Sequence, residues 1–426
     1  MVCAARLELV VHLNVLILTQ YFWPETFRIN EVALSLRNAG ADVTVLTGKP
    51  NYPDGVIFAG YRAAGTVREE YNGIPVYRVP MLPRGQRSAR GLALNYLSFA
   101  ASGSVFGPWV LRGKRIDAIL VYGISPILQG IAAIAVKLFK RAPVALWVQD
   151  LWPESLEATG YVKNRHVLKA VEWVVRGIYR YSDVLLVQSP AFTDVVAALA
   201  PREKIRYHPN PGELALDSPA RPVDGSPVQF RRDCFNVVFA GNLGTAQSVE
   251  TIVATAERLS GDARIRFVLV GSGSRTDWLR EEIARRGLTN VELPGRFPPE
   301  AMPAILEGAS VLLVTLARDE IFRLTLPSKV QAYLAAGKPI LAAVDGEGAR
   351  IVSEAGAGLA VPAEDPAALA DAVIRMAALP AAALEQMGRS GRAYYDAHFA
   401  PDLLARQLIQ LLEEAVRARH SKGARG

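Results

Sequence analysis

Cysteine is almost absent from this sequence, and so are the common metal-binding patterns. The 426 residues include two cysteines, Cys3 and Cys234, and no C-x-x-C pair, which excludes a disulfide framework and a cysteine-ligated zinc site. The five histidines are scattered, and neither H-E-x-x-H nor Asp-x-Asp occurs. We therefore expect a protein that needs no metal and no cofactor and that works in a reducing compartment.

A recognisable cleavable leader is missing as well. Residues 1–18 are largely apolar, but they lack a small-residue cleavage site and contain Glu8. We therefore interpret them as the lead-in to a first buried strand rather than as a signal peptide. Together with the scarcity of cysteine, this predicts a cytoplasmic protein.

The excess of positive charge is not interleaved with aromatic residues. The formal net charge is +7, and basic residues cluster on both sides of one apolar run. Nucleic-acid sites combine cations with stacking aromatics, whereas cations beside an apolar segment are typical of binding to an anionic membrane surface. We therefore expect a membrane surface, and not nucleic acid, as a partner. The clustered residues are Arg84, Arg87 and Arg90 before the run and Arg112, Lys114 and Arg115 after it.

Residues 91–111 form that apolar run, and they carry no charge. The run approaches the length that spans a bilayer, but Asn95, Pro108, three serines and three glycines argue against a lipid-exposed span. Three interpretations remain open: a spanning helix, a helix lying on the membrane surface with basic flanks, and a buried helical hairpin.

Short apolar runs alternate with helical periods along the chain. They include NVLIL, DVTVLT, DAILVY and PVALWV in the first half and NVVFAG, RIRFVLVGSG and PILAAV in the second. This order predicts parallel sheets covered by helices on both faces. Residues 213–232 interrupt it with proline, glycine and charge, as a linker does. The sequence thus predicts two doubly wound α/β domains, residues 1–212 and 233–398, with ligands at the carboxyl ends of the strands.

Two glycine-rich turns follow apolar strands in the second half. Gly241-Asn242-Leu243-Gly244 follows NVVFA and precedes a helix, so its backbone amides suit a diphosphate. A plain tight turn is the alternative. Gly271-Ser272-Gly273 is a weaker signal of the same kind, because the third glycine of a dinucleotide fingerprint is replaced by Arg275 and Thr276.

The stretch LPSKVQAYLAAGKPIL, residues 324–341, predicts an anion site at the start of a helix. Pro327 suits a first helical turn, Ser328 can cap or donate, and Lys329 adds a cation beside the positive end of the helix dipole. Arg323 precedes the same helix. The alternative is an ordinary helix with a solvated lysine, in which case replacing Lys329 would change neither binding nor turnover.

Polar and aromatic residues follow two strands of the first half. Phe27, Arg28, Asn30 and Glu31 leave the first strand in QYFWPETFRINE and suit a sugar or lipid-linked acceptor, unless the aromatics plug the core. Asp150, Trp152 and Glu154 end the strand PVALWV. Carboxylates at that position can orient hydroxyl groups or accept a proton, whereas helix capping by Asp150 is the structural alternative.

With these motifs in order, the chain resembles nucleotide-sugar glycosyltransferases of family four, and most closely the fucosamine transferases of O-antigen and capsule assembly. The resemblance is carried by QYFWPETFRINEVA, TGKPNYPDG, QDLWPESLEATGY, FAGNLGTAQSVET, VLVGSGS, LPGRFPPEAMP and LPSKVQAYLAAGKPIL, which cover nearly the whole chain. It implies the GT-B fold, in which two Rossmann-like domains face a central cleft. It also implies that residues 399–426 form a helix, around 401–419, that crosses back to the first domain, and a basic tail.

The resemblance also implies substrates and roles. The donor would be a UDP-sugar carrying an N-acetylated 6-deoxyhexosamine, transferred with retention at the anomeric carbon. The acceptor would be a polyprenyl-diphosphate-linked saccharide at the inner face of the cell membrane. By position, Gly241, Asn242 and Gly244 would meet the diphosphate with Gly271 and Gly273, Arg296 would lie near the base, and Ser328 and Lys329 would approach the phosphates.

The sequence departs from the family pattern at the helix start. The two glutamates of a Glu-x7-Glu signature are replaced by Leu324 and Ala332, and Asn242 and Gln247 stand where many relatives have arginine and lysine. Arg323 and Lys329 are the candidates to supply the missing positive charge. Two other functions stay open, a nucleotide-sugar epimerase of the same fold and a catalytically silent membrane scaffold.

Overall fold

A computed structural model describes residues 12–85, 89–125, 127–158, 164–212, 227–231 and 233–423. The chain divides into two compact units, of which the first contains the residues up to His208 together with those from Leu404, and the second runs from Pro209 to Leu403. Most of the segment predicted to be a linker, at 213–226 and 232, lies outside the described residues.

The first unit contains an eight-stranded sheet in the order β3-β4-β2-β1-β5-β6-β7-β8. All neighbouring pairs are parallel except β3 and β4, which form an antiparallel hairpin at one edge. The hairpin turns at Asn72 and Gly73, both with positive φ, as a two-residue hairpin turn requires. The strands are β1 Asn14–Leu18, β2 Asp42–Thr47, β3 Val67–Tyr71, β4 Ile74–Arg78, β5 Ala118–Gly123, β6 Val144–Val148, β7 Val184–Val187 and β8 Ile205–Tyr207.

Helices cover both faces of this sheet, because its central strands are almost entirely apolar and both of their sides must be buried. The edge strand β3 is polar and largely exposed. One face packs against the first helix through Ile29, Val32 and Leu36. Its helices in chain order are α1 Arg28–Asn38, α2 Ala89–Val110, α3 Gln129–Lys140, α4 Glu154–Ala158, α5 Arg165–Tyr181 and α6 Phe192–Ala197.

The second unit contains a six-stranded sheet in the order β11-β10-β9-β12-β13-β14, and each neighbouring pair is parallel. Consecutive side chains of β9 enter different cores, since Val237 and Phe239 pack on one face of the sheet and Val238 on the other. The strands are β9 Phe235–Ala240, β10 Ile265–Val270, β11 Val291–Gly295, β12 Val311–Thr315, β13 Ile340–Ala343 and β14 Gly358–Val361.

The helices of this unit follow its strands and cover both faces, which confirms the predicted doubly wound architecture. The predicted helix start at 327–329 is present, with Pro327 as the cap residue and Ser328 as the first helical residue. These helices are α7 Val249–Arg258, α8 Thr276–Arg285, α9 Met302–Glu307, α10 Glu320–Leu324, α11 Ser328–Ala335, α12 Glu347–Glu354, α13 Pro366–Ala377 and α14 Ala381–His398.

A last helix, α15 Pro401–Gly423, carries the chain from the second unit back into the first. Ala405, Leu408 and Leu412 are buried in the apolar core that also contains α1. Residues from the far end of the chain thus help to close the core of the first unit.

The apolar run at 91–111 lies almost entirely in the single helix α2, so the hairpin interpretation is wrong. The helix packs closely, since a methyl group added at Gly103 would lie 2.8 Å from the Cβ atom of Ala132 on α3. Among the described residues, no single helix has the length and composition to cross a bilayer, although the bent pair Pro366–Ala377 and Ala381–Ser421 passes that criterion jointly.

Candidate functional site

A cavity of about 850 Å³ lies in the second unit and gathers most of the residues predicted to bind the donor. Glycine turns after β9 and β10 form one wall, and the start of α11 forms another. No carboxylate lines it within the described part of the chain. The predicted residues that line it are Gly241, Asn242, Gly271, Gly273, Arg296, Ser328 and Lys329, and Gln247 and Ala332 line it as well.

The glycines of this cavity are required by the close approach of the two turns. Gly271 has φ of 139°, and a Cβ atom there would lie 1.8 Å from the carbonyl oxygen of Gly241. Gly241 has φ of 142°, and a Cβ atom there would lie 2.6 Å from Lys329 Cε. A side chain at Gly271 would therefore collide with the backbone of the other turn. A side chain at Gly241 would be strained by the backbone conformation and would displace the end of Lys329.

Lys329 is held against this glycine turn without an acidic partner. Its Nζ atom lies 4.8 Å from the centroid of the Phe239 ring, and it forms no ion pair within the described residues. Burial lowers the pKa of its ammonium group to about 8, since the charged form is poorly solvated there. A bound anion would supply the missing countercharge. The positive end of the α11 dipole would attract the same anion.

Two residues predicted for this site do not line the cavity. The guanidinium of Arg323 is half exposed and donates to Glu320 Oε2 at 2.7 Å, so α10 uses it in a local ion pair. The backbone N–H of Gly244 donates to Gln247 Oε1 at 3.3 Å. Gly244 thus shapes the turn, and the contact of either residue with a donor stays a prediction.

In the first unit, Asp150 lies at the carboxyl edge of the sheet directly after β6. Its Oδ2 atom accepts hydrogen bonds from the backbone N–H of Ser125 at 2.9 Å and from the Ser125 hydroxyl at 3.0 Å. Burial raises the pKa of the Asp150 carboxyl, although these two hydrogen bonds act against the shift. Ser125 follows β5, so adjacent strands position the acid and its donor.

Arg28, Glu31 and Asp150 each lie close enough to the buried hydroxyl of Tyr122 to act on it electrostatically. Burial raises the pKa of Tyr122 to about 12, and the charges of all three residues act on the same group. Residues from α1, β5 and the loop after β6 thus meet at one edge of the sheet. One carboxylate is thus held in place with charges of both signs around it, an arrangement that can orient a hydroxyl group or accept its proton.

Two other residues predicted for the acceptor side, Phe27 and Asn30, make contacts within the first unit itself. Phe27 stacks on Tyr21 with ring centroids 5.2 Å apart. The side chain of Asn30, in the first turn of α1, is buried. It donates to the Glu25 carbonyl at 2.7 Å and accepts from the Trp23 N–H at 3.0 Å, so it holds the loop before α1 in shape.

Trp152 and Glu154, which follow β6, differ in their exposure to solvent. Trp152 is 8% exposed, and its indole N–H has no hydrogen-bond partner within the described residues. Glu154 begins α4 and is exposed to solvent, and its contact with an acceptor stays a prediction.

The comparisons with known proteins agree with this geometry. Residues 26–211 match the family described as glycosyl transferase 4-like domain, and residues 234–378 match the family described as glycosyl transferases group 1. The chain is 26% identical over 309 residues to a protein of Escherichia coli K12 named as the colanic acid biosynthesis glycosyl transferase WcaI, covering 70% of this chain and 74% of that one. The protein is a glycosyltransferase. A second relative of this glycosyltransferase, WbjE of Pseudomonas aeruginosa, is 26% identical over 74% of the chain and 78% of its own length.

Solved structures show the fold of this glycosyltransferase to be GT-B. Sucrose-phosphate synthase from Thermosynechococcus elongatus superposes with a TM-score of 0.72 at 18% identity, covering 95% of this chain and all of the other. HepE of Anabaena in complex with UDP-glucose gives a TM-score of 0.65 at 14% identity over 95% of this chain and 100% of that one. Trehalose 6-phosphate synthase from Burkholderia multivorans gives 0.70 at 13% identity over 95% and 99%. At these identities the likeness confirms the fold class and nothing finer.

Sequence reasoning missed an important acid in the first unit of the glycosyltransferase. Glu25 is 2% exposed and accepts hydrogen bonds from the backbone N–H groups of Asn51 at 2.7 Å, Tyr52 at 2.8 Å and Phe22 at 3.3 Å. Burial raises the pKa of its carboxyl to about 7. The carboxylate thus joins the loop after β1 to the loop after β2. The motifs that contain these residues had been recognised, but no local pattern shows that they meet.

Proposed function

We propose that the protein transfers a sugar from a UDP-sugar to a polyprenyl-diphosphate-linked saccharide, with retention at the anomeric carbon. The observation that carries the proposal is the cavity of the second unit, where Lys329 lies without an acidic partner against the Gly241 turn. A site with cations, backbone amides and, within the described part of the chain, no lining carboxylate fits a diphosphate and disfavours a free cation.

The chemistry follows from the leaving group. As the glycosidic bond to the donor phosphate breaks, negative charge grows on the diphosphate, and a cation already in place stabilises it without reorganisation. Lys329 has that position, with Ser328 and the first amides of α11 beside it. No carboxylate that could form a glycosyl-enzyme intermediate lines the cavity within the described residues. The retention that the family resemblance implies would then require the acceptor hydroxyl to attack from the face that the diphosphate leaves.

The finer identity of the donor rests on the ordered motifs of the chain. Their resemblance to fucosamine transferases supports an N-acetylated 6-deoxyhexosamine as the transferred sugar. The HepE structures, which hold UDP and UDP-glucose, support a uridine nucleotide. On the acceptor side, Asp150 and Glu154 would orient the attacking hydroxyl, and Phe27 would pack on the acceptor saccharide.

One experiment tests the reaction. The purified protein is screened by thermal shift against UDP-, GDP- and dTDP-sugars, because a ligand of the native state raises the melting temperature. The sugar that shifts Tm most is then offered with a polyprenyl-diphosphate-linked saccharide, and the linkage of the product is read by NMR. An inverted anomeric centre would exclude the front-face mechanism, and a preference for another nucleotide would exclude UDP.

We also place the protein on the inner face of the cell membrane, bound through the exposed side of α2. Leu94, Leu97, Val105 and Trp109 on this helix are more than half exposed, at 55%, 54%, 68% and 54%. Basic residues follow its end, and Lys140 Nζ donates to the carbonyl of Lys114 at 2.6 Å, which gathers cations from α3 at the same place. Apolar burial and attraction to anionic lipid then act together.

Flotation on vesicles tests this placement. We expect the protein to float with phosphatidylcholine vesicles that contain phosphatidylglycerol and not with phosphatidylcholine alone. Replacing two exposed residues of the helix, Leu97→Gln with Trp109→Gln, should abolish flotation. The matched control is Val56→Gln with Ile374→Gln, two residues about equally exposed elsewhere. Equal flotation of both double variants would refute the docking face.

A further inference from the structure

A second cavity, of about 840 Å³, lies in the first unit at the edge of the sheet opposite to Asp150. Its walls include residues just before β7 and just before β8, which are the amino ends of parallel strands. Lys137 near the end of α3 and the last turns of α15 complete it. No part of this cavity belongs to the donor site or to the cluster around Tyr122.

Five basic and three acidic side chains line this cavity, and three of the basic ones are used by the fold. Arg206 donates to the Glu203 and Ile205 carbonyls at 2.8 and 2.9 Å. Lys137 Nζ donates to the Tyr181 carbonyl at 2.7 Å and to Asp183 Oδ2 at 2.6 Å. Lys204 Nζ donates to the Arg180 and Ser182 carbonyls at 2.7 and 2.9 Å. Both lysines therefore satisfy carbonyl groups at the end of α5, as cations near a helix C-terminus commonly do.

The guanidinium groups of Arg180 and Arg419 do not bind backbone carbonyls in this way. Both line the cavity, and neither forms a hydrogen bond or an ion pair within the described residues. Glu203 and Glu414 also line it and form no ion pair there. A guanidinium binds a phosphate group through two parallel hydrogen bonds, and a carboxylate accepts from hydroxyl groups. The set fits a phosphodiester that carries hydroxyl groups.

The surroundings indicate where such a ligand comes from. Leu138 and Phe139 follow Lys137 and are 71% and 54% exposed. Lys140 lies over the Phe139 ring at 5.4 Å and donates to the Lys114 carbonyl. Exposed apolar and basic side chains beside a polar cavity are typical of a lipid contact, where acyl chains stay in the bilayer and the headgroup is bound.

The geometry points to a binding site in this cavity for the phosphodiester headgroup of an anionic lipid such as phosphatidylglycerol, with Arg180 and Arg419 on the phosphate and Glu203 and Glu414 on the headgroup hydroxyls. This site goes beyond the proposed transfer reaction. It depends on the proposed membrane association only for the source of the ligand.

The test uses a soluble lipid, so that docking on a bilayer is not needed. Dihexanoyl-phosphatidylglycerol, below its micelle concentration, is titrated into the full-length protein by calorimetry, and glycerophosphoglycerol and inorganic phosphate are titrated separately. We expect saturable binding of the lipid. Arg180→Gln with Arg419→Gln should weaken it at least about tenfold, because two charge-assisted phosphate contacts are lost. The control, Arg62→Gln with Arg406→Gln, removes the same charge from exposed arginines outside the cavity and should change affinity less than about twofold.

Each other outcome overturns the assignment. Absence of saturable lipid binding, or equal losses in both double variants, would show that the cavity is only a solvated surface. Equal affinity for glycerophosphoglycerol would mean a soluble phosphodiester site, and equal affinity for inorganic phosphate would mean an unspecific anion site. If the double variant fails to fold, the lipid affinity of the single variant Arg419→Gln is compared with that of the native protein. The Leu97→Gln and Trp109→Gln protein should keep its affinity for the short-chain lipid, so failure of membrane docking and failure of this site are distinguishable.

Discussion

The partly buried ammonium of Lys329 makes a prediction that links stability to function. Its pKa of about 8 lies below the ordinary value of 10.5, and at roughly 1.4 kcal/mol per pKa unit this corresponds to about 3 kcal/mol of unfavourable burial of the charge. Replacement by methionine keeps the apolar stem over Phe239 and removes the charge. Lys329→Met should therefore raise the free energy of unfolding at pH 7, by about 1–3 kcal/mol once local relaxation is allowed for.

The pH dependence gives this prediction its sign. Between pH 8 and 10.5 the unfolded chain still holds the proton that folded Lys329 has lost, so the stability of the native protein rises with pH across that window. The methionine variant lacks this group. Its excess free energy of unfolding over the native protein should be largest below pH 8 and disappear towards pH 10.5. A solvated lysine, which is the alternative interpretation of this helix start, would give no such difference.

Nucleotide binding should change in the opposite direction. A phosphate contact from a cation contributes roughly 1.5–3 kcal/mol, so Lys329→Met should weaken UDP binding by at least about tenfold, and kcat should fall by a similar factor or more. Native affinity should decline as the pH rises above 8, while the variant should show no such decline. Calorimetric titration of UDP from pH 7 to 9.5, with thermal melts at each pH, measures both effects.

Lys338→Met is the matched control, because burial also lowers the pKa of Lys338 but this residue does not line the cavity. Its UDP affinity should stay native at every pH. Native UDP affinity in Lys329→Met would show that the helix start does not hold the diphosphate. A variant that loses stability together with affinity would show that the lysine is a structural support, and the reasoning from burial would be wrong.

Three further predictions concern the first unit. Asp150→Asn and Glu154→Gln should lower turnover per bound donor and leave UDP affinity unchanged, and kinetics with a titration of UDP separate the two quantities. Ser125→Ala should lower kcat by roughly three- to tenfold and shift the acidic limb of the pH–rate profile, because one hydrogen bond that favours the ionised form of Asp150 is lost; an unshifted limb with native kcat would contradict it. The pKa of the Glu25 carboxyl is about 7 in the folded protein and 4.5 ordinarily. The folded protein therefore holds one more proton than the unfolded chain between these pH values, and its stability should fall as pH rises from 4.5 to 7. Urea unfolding of Glu25→Gln should lack that slope, and an identical slope in both proteins would assign it to other groups.

The donor cavity was predictable because its parts are local. Gly241 and Gly271 each stand where a strand gives way to a helix, and parallel strands bring such positions to one edge. Ser328 begins a helix that follows the short helix α10 after β12. Arg323 was assigned to the same edge from its place in the sequence alone. Its side chain instead forms an ion pair with Glu320, one helical turn earlier. Short-range electrostatic attraction within the helix favours this pair, and the position of Arg323 next to the helix start does not reveal it.

The first unit was less predictable because its polar contacts join distant segments. Arg78 is fully buried and donates to the Gly48 carbonyl at 2.9 Å, and Lys49 beside it is buried with no partner for its Nζ atom among the described residues. No spacing rule connects such residues. The β3–β4 hairpin is different, since the Asn72-Gly73 pair is a strong local hairpin signal, although the hairpin does not follow the alternation of strands and helices seen in the rest of the unit.

Helix α15 has a consequence for how the protein is made. Its residues Ala405, Leu408 and Leu412 close the first core, yet the ribosome reaches them only after it has synthesised the whole second unit, Pro209–Leu403. At about 5–20 residues per second this delay lasts roughly 10–40 s, during which one apolar face next to α1 has no cover. The unit that is synthesised first is therefore the last to be completed, and slower translation or bound chaperone should favour the yield of folded protein.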